Sequence, residues 1–153
     1  MPDFIQAHTE ADFATAHSLF MEYAQWLGID LCFQGFDSEL LSLPQMYGAP
    51  NGGLILVKDE DRFLGCVGVR KFSDSSCELK RMWIQPAYQN QGLGEKLLIK
   101  AMELGKHLGY TTMKLDTLQT MTGPIYLYKK HGFQEIPAYY KNPNAVVYFE
   151  KVL

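Results

Sequence analysis

Between Cys77 and Leu108 the chain reads CELKRMWIQPAYQNQGLGEKLLIKAMELGKHL. This stretch leaves few options for folding. Glu78 to Ile84 alternates as a strand does and stops at Pro86. A polar turn follows through Gln89, Asn90, Gln91, Gly92, Leu93 and Gly94. Leu93, Leu97, Leu98, Ala101, Leu104 and Leu108 then recur at helical spacing, and Gly109 ends the run. A strand, a loop with two glycines and a helix start together make an anion site from backbone alone. The first N–H groups of a helix lack intrahelical acceptors, and the helix dipole adds partial positive charge there. A ligand carrying phosphate or pyrophosphate is the expected occupant.

The flanking chain reads as one mixed α+β unit. Phe4 to His8 is a short strand. Thr9 is an N-cap with Asp12 as its capping-box partner. Phe13, Ala16, Phe20, Tyr23, Ala24 and Leu27 stripe the first helix, which Gly28 ends. A second helix is expected to start after Asp37 or Ser38 and to cover Leu40 to Leu43. Leu54 to Val57, Phe63 to Arg70, Met113 to Thr117, Phe133 to Ile136 and Ala145 to Val152 complete the strands. Gly123-Pro124 opens a further helix that Gly132 stops. With 153 residues and no linker or repeat, a single domain is expected over 1–153.

The net charge of −3 gives no basic field for nucleic acid. Lys129, Lys130 and His131 form only a local cluster, suited to a helix C-terminus. No segment approaches the ~18 apolar residues of a membrane span. The N-terminus lacks an apolar run of signal-peptide length, and the three cysteines (Cys32, Cys66, Cys77) match no metal or redox spacing. A cytoplasmic protein without nucleic-acid or membrane partners and without a metal is expected. Cys66 and Cys77 fall in strands and read as small core residues.

Several phosphate ligands can be weighed. No GxxxxGK[ST] occurs, so a Walker loop is excluded. Gly92 and Gly94 give the GxG of a dinucleotide fingerprint, and Asp116 follows at near the expected spacing of about 20 residues. Two features oppose that reading. Leu97 stands at the third glycine position, and the turn from Pro86 to Gln91 is too long for a glycine at the strand end. Gln89-x-x-Gly92-x-Gly94 instead resembles the (Arg/Gln)xxGx(Gly/Ala) signature of the GCN5-related N-acetyltransferases. YLYKKHGF, Tyr126 to Phe133, is similar to that family's later helix-to-strand motif, and the two occur in the family's order and spacing over about Cys77 to Ile136.

The resemblance implies an α/β (mixed α+β) fold: a central mixed sheet of about six or seven strands, splayed between the fourth and fifth, flanked by about four helices. It implies acetyl-CoA as donor and an amine as acceptor. Main-chain groups of Met82 and Ile84 are then expected to hold the pantetheine arm and thioester carbonyl, with the Ile84 N–H as oxyanion donor. Amides from Gln91 to Lys96, in the loop Gln89, Asn90, Gln91, Gly92, Leu93, Gly94, Glu95 and Lys96, would hold the pyrophosphate. Tyr128 stands where the family often places the acid for the leaving thiolate. Glu78 is the candidate base, on the assumption that strand alternation puts 78, 80, 82 and 84 on one face. Asp116 is a second candidate, or an anchor for the substrate ammonium. Tyr139, Tyr140 and Asn142 are expected on the acceptor side, with Trp26 and the segment Phe33 to Phe36 opposite. His107 and His131 are expected to face solvent. An acyl-CoA-binding module without catalysis stays open as the alternative, and so does a homodimer, since dimers are frequent in similar proteins.

Overall fold

The computed structural model describes residues 2–31 and 35–153. Seven strands form one sheet in the order β1-β2-β3-β4-β5-β7-β6. They are β1 (Asp3–Gln6), β2 (Gly53–Asp59), β3 (Arg62–Lys71), β4 (Ser76–Ile84), β5 (Thr112–Leu118), β6 (Gln134–Ile136) and β7 (Val146–Val152). The helices are α1 (Glu10–Leu27), α2 (Phe36–Leu41), α3 (Leu43–Met46), α4 (Leu93–His107) and α5 (Thr122–Lys130). All strand pairs are antiparallel except β4 with β5.

Local chemistry sets the helix ends. Thr9 and Asp12 form the full capping box of α1, and Gly28 closes that helix in the left-handed region. The expected second helix differs: it starts earlier, at Phe36, and breaks at Ser42 into two short helices. Pro44 is the cause. It has no N–H for the ladder, and it restarts the chain as α3 from that helix's first turn.

Both sheet faces are covered. On one, Val67, Val69 and Leu79 pack against Leu97, Leu98 and Ala101 of α4. On the other, Leu54, Leu56, Cys66 and Trp83 pack against Phe13, Ala16 and Phe20 of α1. With both faces covered, β3 is buried without a break from Leu64 to Val69.

One feature of β4 contradicts simple alternation. Arg81 has φ 57°, and the register with β3 slips there: Cys66 faces Trp83 while Gly68 faces Lys80. An extra residue is thus inserted, a β-bulge. Each inserted residue exchanges the two faces of the strand. Glu78 and Lys80 therefore do not share a face with Met82 and Ile84, as alternation had implied. Cys77 and Leu79 join the α4-side core before the bulge, and Ile84 joins it after.

Candidate active site

The parallel pairing of β4 and β5 is confined to Ser76↔Thr112, Cys77↔Met113 and Glu78↔Lys114. Beyond Glu78 the two strands no longer pair, and the bulge at Arg81 lies within the unpaired stretch, while β5 stays paired with β7 along its whole length. The main chain of β4 from Leu79 to Ile84 thus has no ladder partner on its β5 side. A cavity of about 60 Å³ fills the gap. Lys80 and Met82 of β4, Asp116 of β5, Tyr128 of α5, Tyr23 of α1 and Asn142 of the β6–β7 loop line it.

A groove of about 490 Å³ meets this gap at Met82, Met121 and Pro124. Its floor is the end of β4 and the loop into α4, including Ile84, Gln89, Asn90, Gly92 and Gly94. Asn90 (φ 63°) and Gly92 (φ 81°) are left-handed, which turns successive amides toward one side as an anion-binding nest. Gly92 caps α4 with no side-chain hydrogen bond. Among the described residues, the N–H groups of Gln91, Gly92, Leu93, Gly94 and Glu95 have no acceptor. Lys96 differs from expectation: its N–H donates to the Gly92 carbonyl at 3.3 Å, so the run of available amides ends at Glu95. The Gln89 side chain donates to the Ile84 carbonyl at 2.8 Å and so closes the loop onto the strand.

Glu95 does not crowd the groove with bare charge. Lys130 and His131, at the end of α5, sit 2.8 and 2.9 Å from Glu95 Oε1. The hydrogen bonds from Lys130 and then His131 hold its carboxyl below the usual range. His131 is therefore a tether to α4 rather than a solvent-facing side chain.

The catalytic candidates fall into two groups. Tyr128 is 4% exposed, held between the rings of Phe133 and Phe149, and its hydroxyl bonds to no described residue. Burial raises its pKa first, with the charges of Tyr23 and Asp116 adding to it, so the phenol stays protonated. Asp116 lines the same gap. Its Oδ2 accepts from Tyr140 at 2.5 Å and Asn142 at 3.1 Å, leaving Oδ1 unengaged among the described residues. Glu78 lies in a neighbouring pocket instead. Both its oxygens are taken, Oε1 by Arg70 Nε at 3.0 Å and Oε2 by the Tyr139 hydroxyl at 2.8 Å.

The gap thus unites Tyr128, Asp116, Asn142 and Met82, and leaves Glu78 and Tyr139 next door. Trp26 lines the groove; Phe33 lies outside the described residues. Lys80 (4% exposed) and Arg70 were missed by sequence reading. Their signal was a basic side chain embedded in an otherwise apolar strand. Cys66 and Cys77 are buried and line none of these cavities, and burial pushes the Cys77 thiol up to about 12.

A splayed parallel strand pair beside an uncapped, glycine-led helix is the architecture of acyl-CoA-dependent N-acyltransferases. The model of the acetyltransferase (GNAT) family matches residues 10–133, and the chain belongs to that family, whose acyl donor is acetyl-CoA. An uncharacterized N-acetyltransferase of Schizosaccharomyces pombe is 39% identical over 127 residues, 82% of this chain and 78% of that protein. The uncharacterized N-acetyltransferase YjgM of Escherichia coli is 32% identical over 103 residues, 65% of this chain and 62% of its own. Among solved structures, a GNAT-family acetyltransferase of Staphylococcus aureus superposes with TM-score 0.82 at 19% identity, covering 99% of each chain. A GNAT-family acetyltransferase of Elizabethkingia anophelis with acetyl-CoA bound gives TM-score 0.68 at 21% identity, covering 99% of this chain and 98% of the other.

The residues present fit the coenzyme. A row of amides lacks acceptors, and a Cβ at Gly92 would meet nothing within 4 Å while one at Gly94 would meet only Leu127 at 3.9 Å, so the cradle is open. Trp83, beside the same groove, has a buried Nε1–H with no partner among the described residues. No described helix is long and apolar enough to cross a membrane.

Proposed function

We propose that the chain, acting as one catalytic domain, transfers the acetyl group of acetyl-CoA to a primary amine by direct attack in a ternary complex. The observation that carries this is the continuity of three parts: the amide-lined groove, the β4–β5 gap, and, lining that gap, a protonated Tyr128 and an Asp116 with one oxygen unengaged among the described residues. In this reading the amides from Gln91 to Glu95 hold the diphosphate. Main-chain groups of Ile84 and Met82 hold the pantetheine arm. Met82 borders both groove and gap, so its backbone is better placed than that of Ile84 for the thioester carbonyl. Tyr128 protonates the leaving thiolate. Among the described residues, Cys66 and Cys77 are buried with raised thiol pKa values, which disfavours an acyl-enzyme on either of them; Cys32 lies outside the described residues.

Of the two carboxylates, Asp116 faces the gap. It is assigned the acceptor ammonium, which it orients and from which it takes the proton through Oδ1. Tyr140 and Asn142 hold Asp116 in place. Glu78 acts at one remove, through a water or through Lys80, whose Nζ is 4.0 Å away. Thiol release from acetyl-CoA across a panel of primary amines tests the activity. Asp116→Asn is expected to lower kcat by about 10²–10⁴, in the range of a lost acid–base group, and Glu78→Gln by less. The reverse order would return the base to Glu78. Tight CoA binding with no turnover on any amine would favour the silent module.

A further inference from the structure

The neighbouring pocket that holds Glu78, a cavity of about 460 Å³, adjoins the gap and shares no lining residue with the groove. That volume suits a small molecule. Its walls come from α3, the end of β3, the start of β4 and the β6–β7 loop. It shares Lys80 with the gap, and its Tyr140 donates to Asp116, which lines the gap. A molecule seated here is therefore a neighbour of the reaction centre.

The wall has an uneven charge. Arg70, Lys71 and Lys80 line it against one carboxylate, Glu78. Arg70 is the informative member. Its Nε and Nη2 both approach the same oxygen, Glu78 Oε1, at 3.0 Å. Its Nη1 is 3.8 Å from Glu39, beyond hydrogen-bond reach, and has no other partner among the described residues. The side chain is 23% exposed. A part-exposed guanidinium at a cavity wall, with no hydrogen bond at Nη1 among the described residues and Lys71 and Lys80 in the same wall, suits a carboxylate, which arginine meets in planar, forked geometry. Phe72 and Tyr139, whose centroids are 5.2 Å apart, supply apolar surface beside it.

The register sets the length of the ligand. Arg70 pairs with Glu78, and Met82 lies four positions further along β4, on the far side of the bulge. Asp116, to which the ammonium is assigned, lies two positions beyond Lys114, the β5 partner of Glu78; at about 3.3 Å per residue, less the bulge on β4, the reaction centre is on the order of 7–10 Å along the strands from the Arg70 row. The amine and carboxylate of an α-amino acid are too close together to occupy both places.

We propose that this cavity binds the tail of the acceptor, and that the acceptor is a primary amine carrying a carboxylate several methylenes away, anchored by Arg70. The proposal rests on the acyl-transfer reading for its kinetics, and its own test also has a binding arm. Three probes separate the terms: ε-aminocaproate, hexylamine and glycine. Hexylamine has a similar chain with no carboxylate, and glycine has both groups too close. Wild-type kcat/KM is expected to favour ε-aminocaproate over each of the others by about tenfold or more, the size of one charged hydrogen bond. In Arg70→Gln the ratio of ε-aminocaproate to hexylamine is expected to fall toward one, and Arg70→Lys to recover part of it. Arg70 also holds Glu78, but damage by that route slows both amines alike and leaves the ratio intact.

Equal use of hexylamine and ε-aminocaproate by the wild type would overturn the carboxylate anchor while leaving acyl transfer standing. If no amine is acetylated, the transfer reading fails, and calorimetry decides the pocket alone. ε-Aminocaproate is expected to bind the CoA-loaded wild type and not Arg70→Gln. Absence of binding to the wild type overturns the proposal.

Discussion

Tyr128 is a side chain whose chemistry is set by its surroundings. A free phenol is a poor match for a cavity, yet here the ring is supported by Phe133 and Phe149 at centroid distances of 5.7 and 6.1 Å. Those contacts do not involve the hydroxyl, so Tyr128→Phe keeps the packing and removes only the proton donor. The variant is expected to fold with unchanged thermal stability, to keep its KM for acetyl-CoA, and to lose about 10²–10⁴ in kcat. Because burial raises the phenol above its ordinary value of 10.0, the acid form persists through the neutral and mildly alkaline range. Any alkaline fall in rate below that value therefore has another origin and is expected to persist in Tyr128→Phe. An equal kcat in the two proteins would remove the residue from the mechanism.

At the scale of elements, the bulge in β4 is held by a buried clamp. Arg81 Nε and Nη2 donate to the two oxygens of Glu39 in α2 at 3.1 and 3.0 Å, and the Tyr47 hydroxyl donates to Oε2 at 3.0 Å. Gly68 of β3 makes room: a Cβ there would come within 2.4 Å of the Tyr47 ring. Burial by itself would raise the Glu39 pKa, but the Arg81 hydrogen bond and charge, with Lys80 and Arg70, outweigh it and lower the pKa below 4.5. A carboxyl lowered on folding contributes stability that is complete above its unfolded pKa and is lost as pH falls through the folded one. Urea unfolding from pH 7 downward is expected to show wild type losing stability below about pH 4.5 more steeply than Glu39→Gln. At neutral pH Glu39→Ala is expected to cost about 3–5 kcal/mol, since it takes the carboxylate partner from the buried Arg81 guanidinium. Parallel acid limbs would show that the clamp does not titrate. This clamp also marks where sequence reading stops. The α4 stripe, the Thr9–Asp12 box and the glycine turn are local patterns, so they were legible. The bulge was not, because arginine carries no mark for positive φ. Its partner Glu39 is 42 residues away, and without the bulge Glu78 was placed on the wrong face.

In the whole molecule, the sheet is two blocks, β1–β4 and β5–β7, joined in register by three residue pairs. The groove runs along their seam, with Met82 and Ile84 on one side and Thr120, Met121 and Pro124 on the other. A coenzyme lying there contacts both blocks and α4, so binding and global stability are linked. At a ligand concentration of about 100 Kd the linkage is about 2.7 kcal/mol, which for a chain of this size raises Tm by roughly 5–10 °C. Gly94 tests whether the amide row supplies that binding. It has an ordinary φ, and a Cβ there would meet only Leu127 at 3.9 Å, so Gly94→Val introduces no backbone strain and no clash at Cβ. It does add a branched side chain at a position that lines the groove, between the amides of Leu93 and Glu95 in sequence. The free variant is therefore expected to melt within a few degrees of wild type, helped by the loss of a helical glycine, while the rise in Tm with CoA disappears. A variant that keeps the full CoA shift would mean that the diphosphate is held elsewhere and that the helix start is only a turn.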